Sequence, residues 1–286
     1  MNPYGFHKFQ AMGNDMIVLD PATFTPALTP AAVQRICDRH FGLGADGICY
    51  GPLSDSAIPA MCFFNPDGTE AEKSGNGLRI FARYVWEKGY VTGRVFQIGI
   101  GDSVIPVHIQ DETATTISMG MGRLAFDSAA IPMAGAARDV VDETITVAGR
   151  EYLATGVNIG NPHCVIFGQI VSAAAVQQHG PAIEIAPLFP NRINVQFAEV
   201  VDRHTIRIEI WERGAGYTLA SGTSSCAAAG AAVRSGRCDS PVTVHMAGGT
   251  VRVAIDSHWH VTLTGTVESV GQGEFSSDLM RHFLEA

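Results

Sequence analysis

The sequence predicts an α+β fold built from two similar halves, and three observations predict it. Short runs rich in Val, Ile, Thr and Phe recur along nearly the whole chain, as strands do. Helical spacing of apolar residues is confined to a few segments. Two of those segments open with the same Ser-Gly pair, at Ser74 and Ser221, 147 positions apart (221 − 74) in a chain of 286 residues, which is the spacing an internal duplication gives.

In chain order, strands are expected at DMIVLD (15–20), MCFFN (61–65), RVFQIGI (94–100), ATTISMGMG (114–122), YLATGVNIG (152–160), HCVIFG (163–168), INVQFAEVV (193–201), TIRIEIWE (205–212), VTVHMAGG (242–249) and WHVTLTG (259–265). A first helix is expected in TPAAVQRICDRHFG (29–42), with Thr29 as its cap. The second and third follow Ser74 and Ser221 and stop at Gly89 and Gly236. Ala227, Ala228, Ala229, Ala231 and Ala232 suit a helix wrapped tightly by a sheet, where larger side chains have no room. Two copies of one α+β unit then face each other across a cleft. The expected division is 1–121 plus 275–286 for one half and 122–274 for the other.

Composition narrows the function. The balance of 28 acidic against 19 basic residues gives a formal charge of −9, which disfavours nucleic acid and anionic membrane as partners. The amino terminus is interrupted by His7, Lys8, Asn14 and Asp15 before an apolar leader forms, so a cytoplasmic location is expected. The six cysteines lack C-x-x-C spacing, and His258 and His260 alternate as strand residues do. No metal site is expected.

The chemistry lies at the two helix starts. A Gly-rich turn opening a helix presents unpaired N–H groups and the positive end of the helix dipole, so it binds a carboxylate. Two such starts hold one carboxylate and stabilise the charge that develops on it when the adjacent Cα loses a proton. Each serine alone also reads as an ordinary N-cap. His163, beside Pro162 at a strand start, reads more readily as structural than as catalytic on its own. Glu212 and Arg213 end a strand just before Ser221 and read either as a surface pair or as a carboxylate-recognising fork beside the second helix start.

With these residues the chain resembles the diaminopimelate epimerase family. The matching segments include FHKFQAMGNDMIVLD, ICDRHFGLGADG, FFNPDGTEAEKSGNGLRIFARY, GNPHCVIFG, INVQFAEV and WERGAGYTLASGTSSCAAA, in the family's order. The resemblance implies two α/β halves, each a sheet around a central helix, with an active site between them, no cofactor and a homodimeric assembly. It implies epimerisation of LL- and meso-diaminopimelate, a lysine and peptidoglycan precursor. One residue at each helix start then removes or delivers the α-proton on opposite faces of the substrate. Family members carry cysteine at both places; this chain has Ser74 and Ser221. Asn14, Asn65, Asn161, Asn194, Glu212 and Arg213 match substrate-binding positions. Gly75 and Asn76, with Gly222 and Thr223, match the two backbone cradles. His163 and Glu212 match the pair that sets the protonation of the reacting groups. Three places depart from the family pattern: Tyr217 after Gly-Ala-Gly, Gly47, and QIGIGDS (97–103).

A thiol is acidic enough for a helix N-terminus to ionise it near neutral pH, whereas a hydroxyl is not. Serine therefore needs a partner to take its proton, and His163 and Glu212 are the candidates. Three readings follow: an epimerase of low activity with cysteines replaced by serines; a divergent isomerase of another amino or carboxylic acid, using Ser, His and Glu; and a silent ligand-binding module. A Ser hydrolase lacks support, because G-x-S-x-G does not occur.

Overall fold

The computed structural model describes residues 4–53, 58–71 and 74–284. Glu72 and Lys73, in the segment leading into Ser74, lie outside these. The chain divides into two compact units, Met1–Met119 with Gly265–Ala286, and Gly120–Thr264. None of the helices among the described residues is long and apolar enough to cross a membrane.

The first unit opens with a hairpin of β1 (Gly5–Ala11) and β2 (Asn14–Leu19). Met12 and Gly13 turn it with φ of 56° and 80°, the left-handed pair that a two-residue hairpin requires, and this places Asn14 at the start of β2. Next come α1 (Pro30–Cys37), β3 (Ile48–Leu53), β4 (Ala60–Phe64), β5 (Glu70–Ala71), α2 (Gly75–Glu87), β6 (Val95–Ile100), β7 (Ser103–Ile109) and β8 (Thr116–Arg123). Strand β2 pairs in parallel with β3, β3 antiparallel with β4, and β4 in parallel with β6; β6, β7 and β8 form a meander. Helix α1 begins where expected, since Thr29 Oγ1 accepts the Ala32 N–H (3.2 Å) and Pro30 occupies the first turn.

The second unit holds β9 (Glu143–Val147), β10 (Arg150–Asn158), β11 (Pro162–Phe167), α3 (Ala173–Glu184), β12 (Asn194–Asp202), β13 (Thr205–Glu212), β14 (Gly216–Thr218), α4 (Gly222–Arg234), β15 (Val242–Met246), β16 (Gly249–Ile255) and β17 (His260–Thr266). Its pairings follow the same scheme: β10 with β11, β11 parallel to β12, β12 with β13, β13 parallel to β15, then β15, β16 and β17 in a meander.

Two boundaries differ from the sequence reading, and the first unit gives way to the second after Met119 rather than after residue 121. Residues 265–274 belong with the first unit rather than the second, because β18 (Glu268–Glu274) pairs antiparallel with β1. The following α5 (Ser277–Leu284) packs against α1, where Phe275 and Met280 join Ile17, Leu19, Val33 and Ile36 in the core.

The two Ser-Gly helices occupy corresponding places in the order. Helix α2 packs on β1, β2 and β3. Helix α4 touches β10, β11, β12, β13, β15 and β16, and every residue from Ser224 to Ala232 is buried. Only a helix of Ala, Gly, Ser and Cys can be enclosed so closely on all sides. On the far side of its sheet, α3 covers an apolar core that includes Tyr152, Ile166, Val176, Ile183, Val195 and Phe197.

Helix α3 presses Gly180 onto Trp211, where an added Cβ lies 2.7 Å from Cγ and 2.8 Å from Cβ of the indole side chain. Alanine gains about 1 kcal/mol in helix propensity over glycine, but overpacking against the root of a side chain costs about 1–3 kcal/mol. Gly180→Ala is therefore expected to lower stability in urea unfolding; a more stable variant contradicts this packing.

Candidate functional site

In the first unit Ser74 is the N-cap of α2, and its Oγ accepts the Gly77 N–H at 3.1 Å. Asn76, 5% exposed, donates through Nδ2 to Asn14 Oδ1 (3.2 Å). Asn14 in turn donates to Asp46 Oδ2 (2.9 Å). Beneath them the fully buried Arg79 donates to Asn76 Oδ1 (2.5 Å) and to the Gly75 carbonyl (3.3 Å). Arg39 bridges Asp15 and Asp46 at 2.7 Å each, and Lys8 reaches Asp15 at 2.9 Å. Arg39 and Lys8 hold the Asp15 carboxyl below its ordinary range despite the opposing effect of burial, the largest single influence. Gly75, Asn76 and Asn14 are thus joined by hydrogen bonds to Arg79 and to one another, at the helix start that Ser74 caps. Asn65 sits in the neighbouring turn, donating to Thr69 Oγ1 (3.0 Å).

The second unit assembles the remaining residues. Ser221 caps α4, its Oγ accepting the Ser224 N–H (3.4 Å) and lying 3.4 Å from Thr223 Oγ1. Glu212, at the end of β13, lies near the Ser221 hydroxyl, which favours its ionised form. Burial raises the Glu212 carboxyl above its ordinary pKa, and the serine hydroxyl opposes that rise. A hydroxyl oxygen that accepts from the helix still has its own proton to donate. Capping and donation to Glu212 are therefore compatible roles for Ser221.

His163 lies in β11, a strand buried along its whole length, and is 0% exposed. Its Nε2 is 2.8 Å from Asn161 Oδ1. Burial pushes its pKa down to about 3; Gln196 offsets this in part, and the positive charge of Arg213 adds to it. The ring is neutral at physiological pH. Its Nδ1 and the Oε1 of Gln196 are both buried without a well-formed hydrogen bond, while Gln196 Nε2 donates to Ser224 Oγ (3.0 Å). Asn194 donates to the Pro162 carbonyl (2.8 Å) and accepts the Arg213 N–H (2.9 Å). The Arg213 guanidinium is exposed and spends one donor on the Asn191 carbonyl (3.2 Å). Asn161, His163, Asn194, Glu212, Arg213, Ser221, Gly222 and Thr223 thus belong to one polar region of this unit.

Several residues of these groups escaped the sequence reading. Gln196 and Ser224 link the histidine to the helix start, Arg79 and Asp46 underlie the first cradle, and Glu184 supports the Arg213 turn. The three departures have structural settings. Tyr217 packs on the core and donates to Glu209 (3.0 Å). A Cβ at Gly47 meets Phe63 Cζ at 2.7 Å and the Phe64 carbonyl oxygen at 2.8 Å, so a larger residue needs the ring to move. QIGIGDS is the turn between β6 and β7 with its flanking strand.

A family model described as diaminopimelate epimerase matches residues 6–126 and 155–270. Diaminopimelate epimerase 2 of Nostoc sp. is 46% identical over 275 residues, covering 96% of this chain and 96% of that protein. The diaminopimelate epimerase of Moorella thermoacetica is 40% identical over 279 residues, covering 96% and 99%. Among solved structures, a hydroxyproline epimerase from Agrobacterium vitis, with trans-4-hydroxy-L-proline bound, aligns with a TM-score of 0.67 at 14% identity, covering 96% of this chain and 93% of that one. A PhzF-family phenazine biosynthesis protein from Bacillus anthracis aligns at 0.67 and 16%, covering 96% and 100%. At those identities the structural likeness establishes the fold.

The buried histidine has a measurable consequence. Between pH 6.5 and about 3 the unfolded chain binds a proton that folded His163 refuses, so its contribution to stability is full above pH 6.5 and is lost as the pH falls. One such proton corresponds to about 1.4 kcal/mol per pH unit. Urea unfolding of His163→Asn is expected to show a pH slope shallower by that amount across mildly acidic pH. Equal slopes contradict a buried neutral ring.

Proposed function

Because the chain belongs to the diaminopimelate epimerase family, we propose that it is a cofactor-independent isomerase that moves the α-proton of an amino acid, with LL- and meso-diaminopimelate as leading substrates. The observation that carries this reading is the placement of Glu212, a carboxylate whose pKa burial raises, near the Ser221 hydroxyl that caps a buried helix. As the Ser221 oxygen takes the α-proton, its own proton passes to Glu212. The carboxylate next to the reacting carbon receives the developing charge and is held by the N–H groups of Gly75, Asn76, Gly222 and Thr223. Ser74 delivers its hydroxyl proton to the opposite face as its oxygen takes one from solvent water, so that no free alkoxide is left.

Arg213 and Glu212 offer charges of both signs to the distal amino-acid group, with Asn14, Asn65, Asn161 and Asn194 as polar contacts. Burial keeps His163 neutral, which supports an orienting part beside Asn161 and Gln196 rather than that of a proton acceptor. A homodimer and a cytoplasmic setting complete the reading.

NMR-detected exchange of the α-protons of both diaminopimelate isomers in deuterated water tests it. The native protein is expected to exchange them slowly, and Ser74→Cys/Ser221→Cys faster, because a thiolate is accessible where an alkoxide is not. The raised Glu212 pKa places the acid limb of the native rate above the ordinary carboxylate range, since Glu212 must be ionised to accept. Exchange by neither protein overturns the substrate assignment. Exchange by the cysteine variant alone makes the native chain a ligand-binding module built on the same pocket.

A further inference from the structure

Glu184, the last residue of α3, takes no part in the proton transfers above, yet it is one of the few fully partnered carboxylates held away from water. It is 4% exposed. Its Oε1 accepts the Gly214 N–H at 2.7 Å and an ion pair from Arg192, and its Oε2 accepts the Trp211 indole N–H at 2.7 Å. The amide immediately before Gly214, that of Arg213, is taken by Asn194 Oδ1 at 2.9 Å. Asn194 is itself 5% exposed. Two successive N–H groups of one turn are therefore gripped from below by two buried side chains.

Beyond these two bonds the turn is closed by the Ala215 N–H to the Glu212 carbonyl (3.2 Å), the Glu212–Gly216 strand pairing and the Arg213 guanidinium on the Asn191 carbonyl (3.2 Å). Residues 213–215 are exposed, and Gly214 and Gly216 adopt φ of 81° and 84°. A Gly-Ala-Gly tip has no large side chain with which to pin itself, and its glycines leave many conformations open. A charged acceptor strengthens the bond to the Gly214 amide, and three donors offset the cost of burying the carboxylate.

We propose that Glu184 is a positioning residue: the buried carboxylate that seats the Arg213–Gly214 turn and so sets where the Arg213 guanidinium stands. Its consequence for ligand binding rests on the assignment of Arg213 to the substrate's distal carboxylate. Its consequence for the turn does not. Glu184 acts through the backbone next to Arg213 and touches neither serine.

Amide hydrogen exchange on the full chain tests the seat without any ligand. The Gly214 amide of the unmodified protein is expected to exchange at least about 100-fold more slowly than in an unstructured chain, and at least about 10-fold faster in Glu184→Ala than in the unmodified protein, while Ile208 and Ile210 in β13 keep their rates. An unprotected Gly214 in the unmodified protein overturns the proposal even if Glu184→Ala fails to fold, as does an unchanged rate in the variant. Calorimetric titration with meso-diaminopimelate then separates positioning from general support. Glu184→Ala is expected to weaken binding about 10-fold when Arg213 is present and less than about twofold in an Arg213→Ala background, the non-additivity of residues that act as a unit. The same factor in both backgrounds overturns the proposal. Glu184→Gln keeps an oxygen for Gly214 and Arg192 but turns its NH2 toward the Trp211 indole N–H, so its affinity is expected to fall between those of the unmodified protein and Glu184→Ala. If the unmodified protein does not bind diaminopimelate, the functional reading fails, and the exchange of Gly214 still decides the seat.

Discussion

The structure depends on burying the start of a helix. Enclosing α4 in strands on all sides restricts it to small residues and leaves its first N–H groups in a setting where water cannot serve them freely. Ser221 satisfies one of them with its Oγ, and Ser74 does the same for α2. The remaining amides, those of Gly75 and Asn76 and of Gly222 and Thr223, are the donors a carboxylate can use. Tight helix enclosure and a set of N–H donors left over at the helix start are thus two results of one packing constraint.

Around these helix starts, burial acts in opposite directions on the two titratable groups. It removes the proton from His163, making the ring a neutral hydrogen-bonding part, and it raises the proton affinity of Glu212, making that carboxylate the stronger base. Serine chemistry needs such an acceptor, because the dipole of a helix cannot by itself ionise a hydroxyl. Of the two partners read from sequence for the serines, only Glu212 combines proximity to the Ser221 hydroxyl and a pKa raised toward neutrality.

Much of this was legible in the sequence, because helix starts are encoded locally. Ser-Gly before apolar residues at helical spacing located α2 and α4, and Thr29 located α1. Helix α3 was not among the expected helices: Gly180 and Pro181 disfavour a helix locally, and packing of Gly180 on Trp211 overrides that preference. Strand β18 carries Ser, Gly, Gln and Glu rather than a strand-like run, and only its pairing with β1 assigns it to the first unit. Gln196 and Glu184 were invisible as site residues for a different reason. Nothing in INVQFAEVV or GPAIEIAP distinguishes a buried polar side chain from one in water, and their partners are distant in sequence: Ser224 for Gln196, Trp211 and Gly214 for Glu184.

In the proposed function, two serine-capped helix starts hold the carboxylate of one amino acid. A crystal structure with meso-diaminopimelate bound tests it most directly. The account predicts the reacting carboxylate within hydrogen-bond distance of N–H groups from both Gly75–Asn76 and Gly222–Thr223, with the α-carbon between the oxygens of Ser74 and Ser221. A ligand held by one helix start alone, with the other serine turned to a different surface, would contradict it.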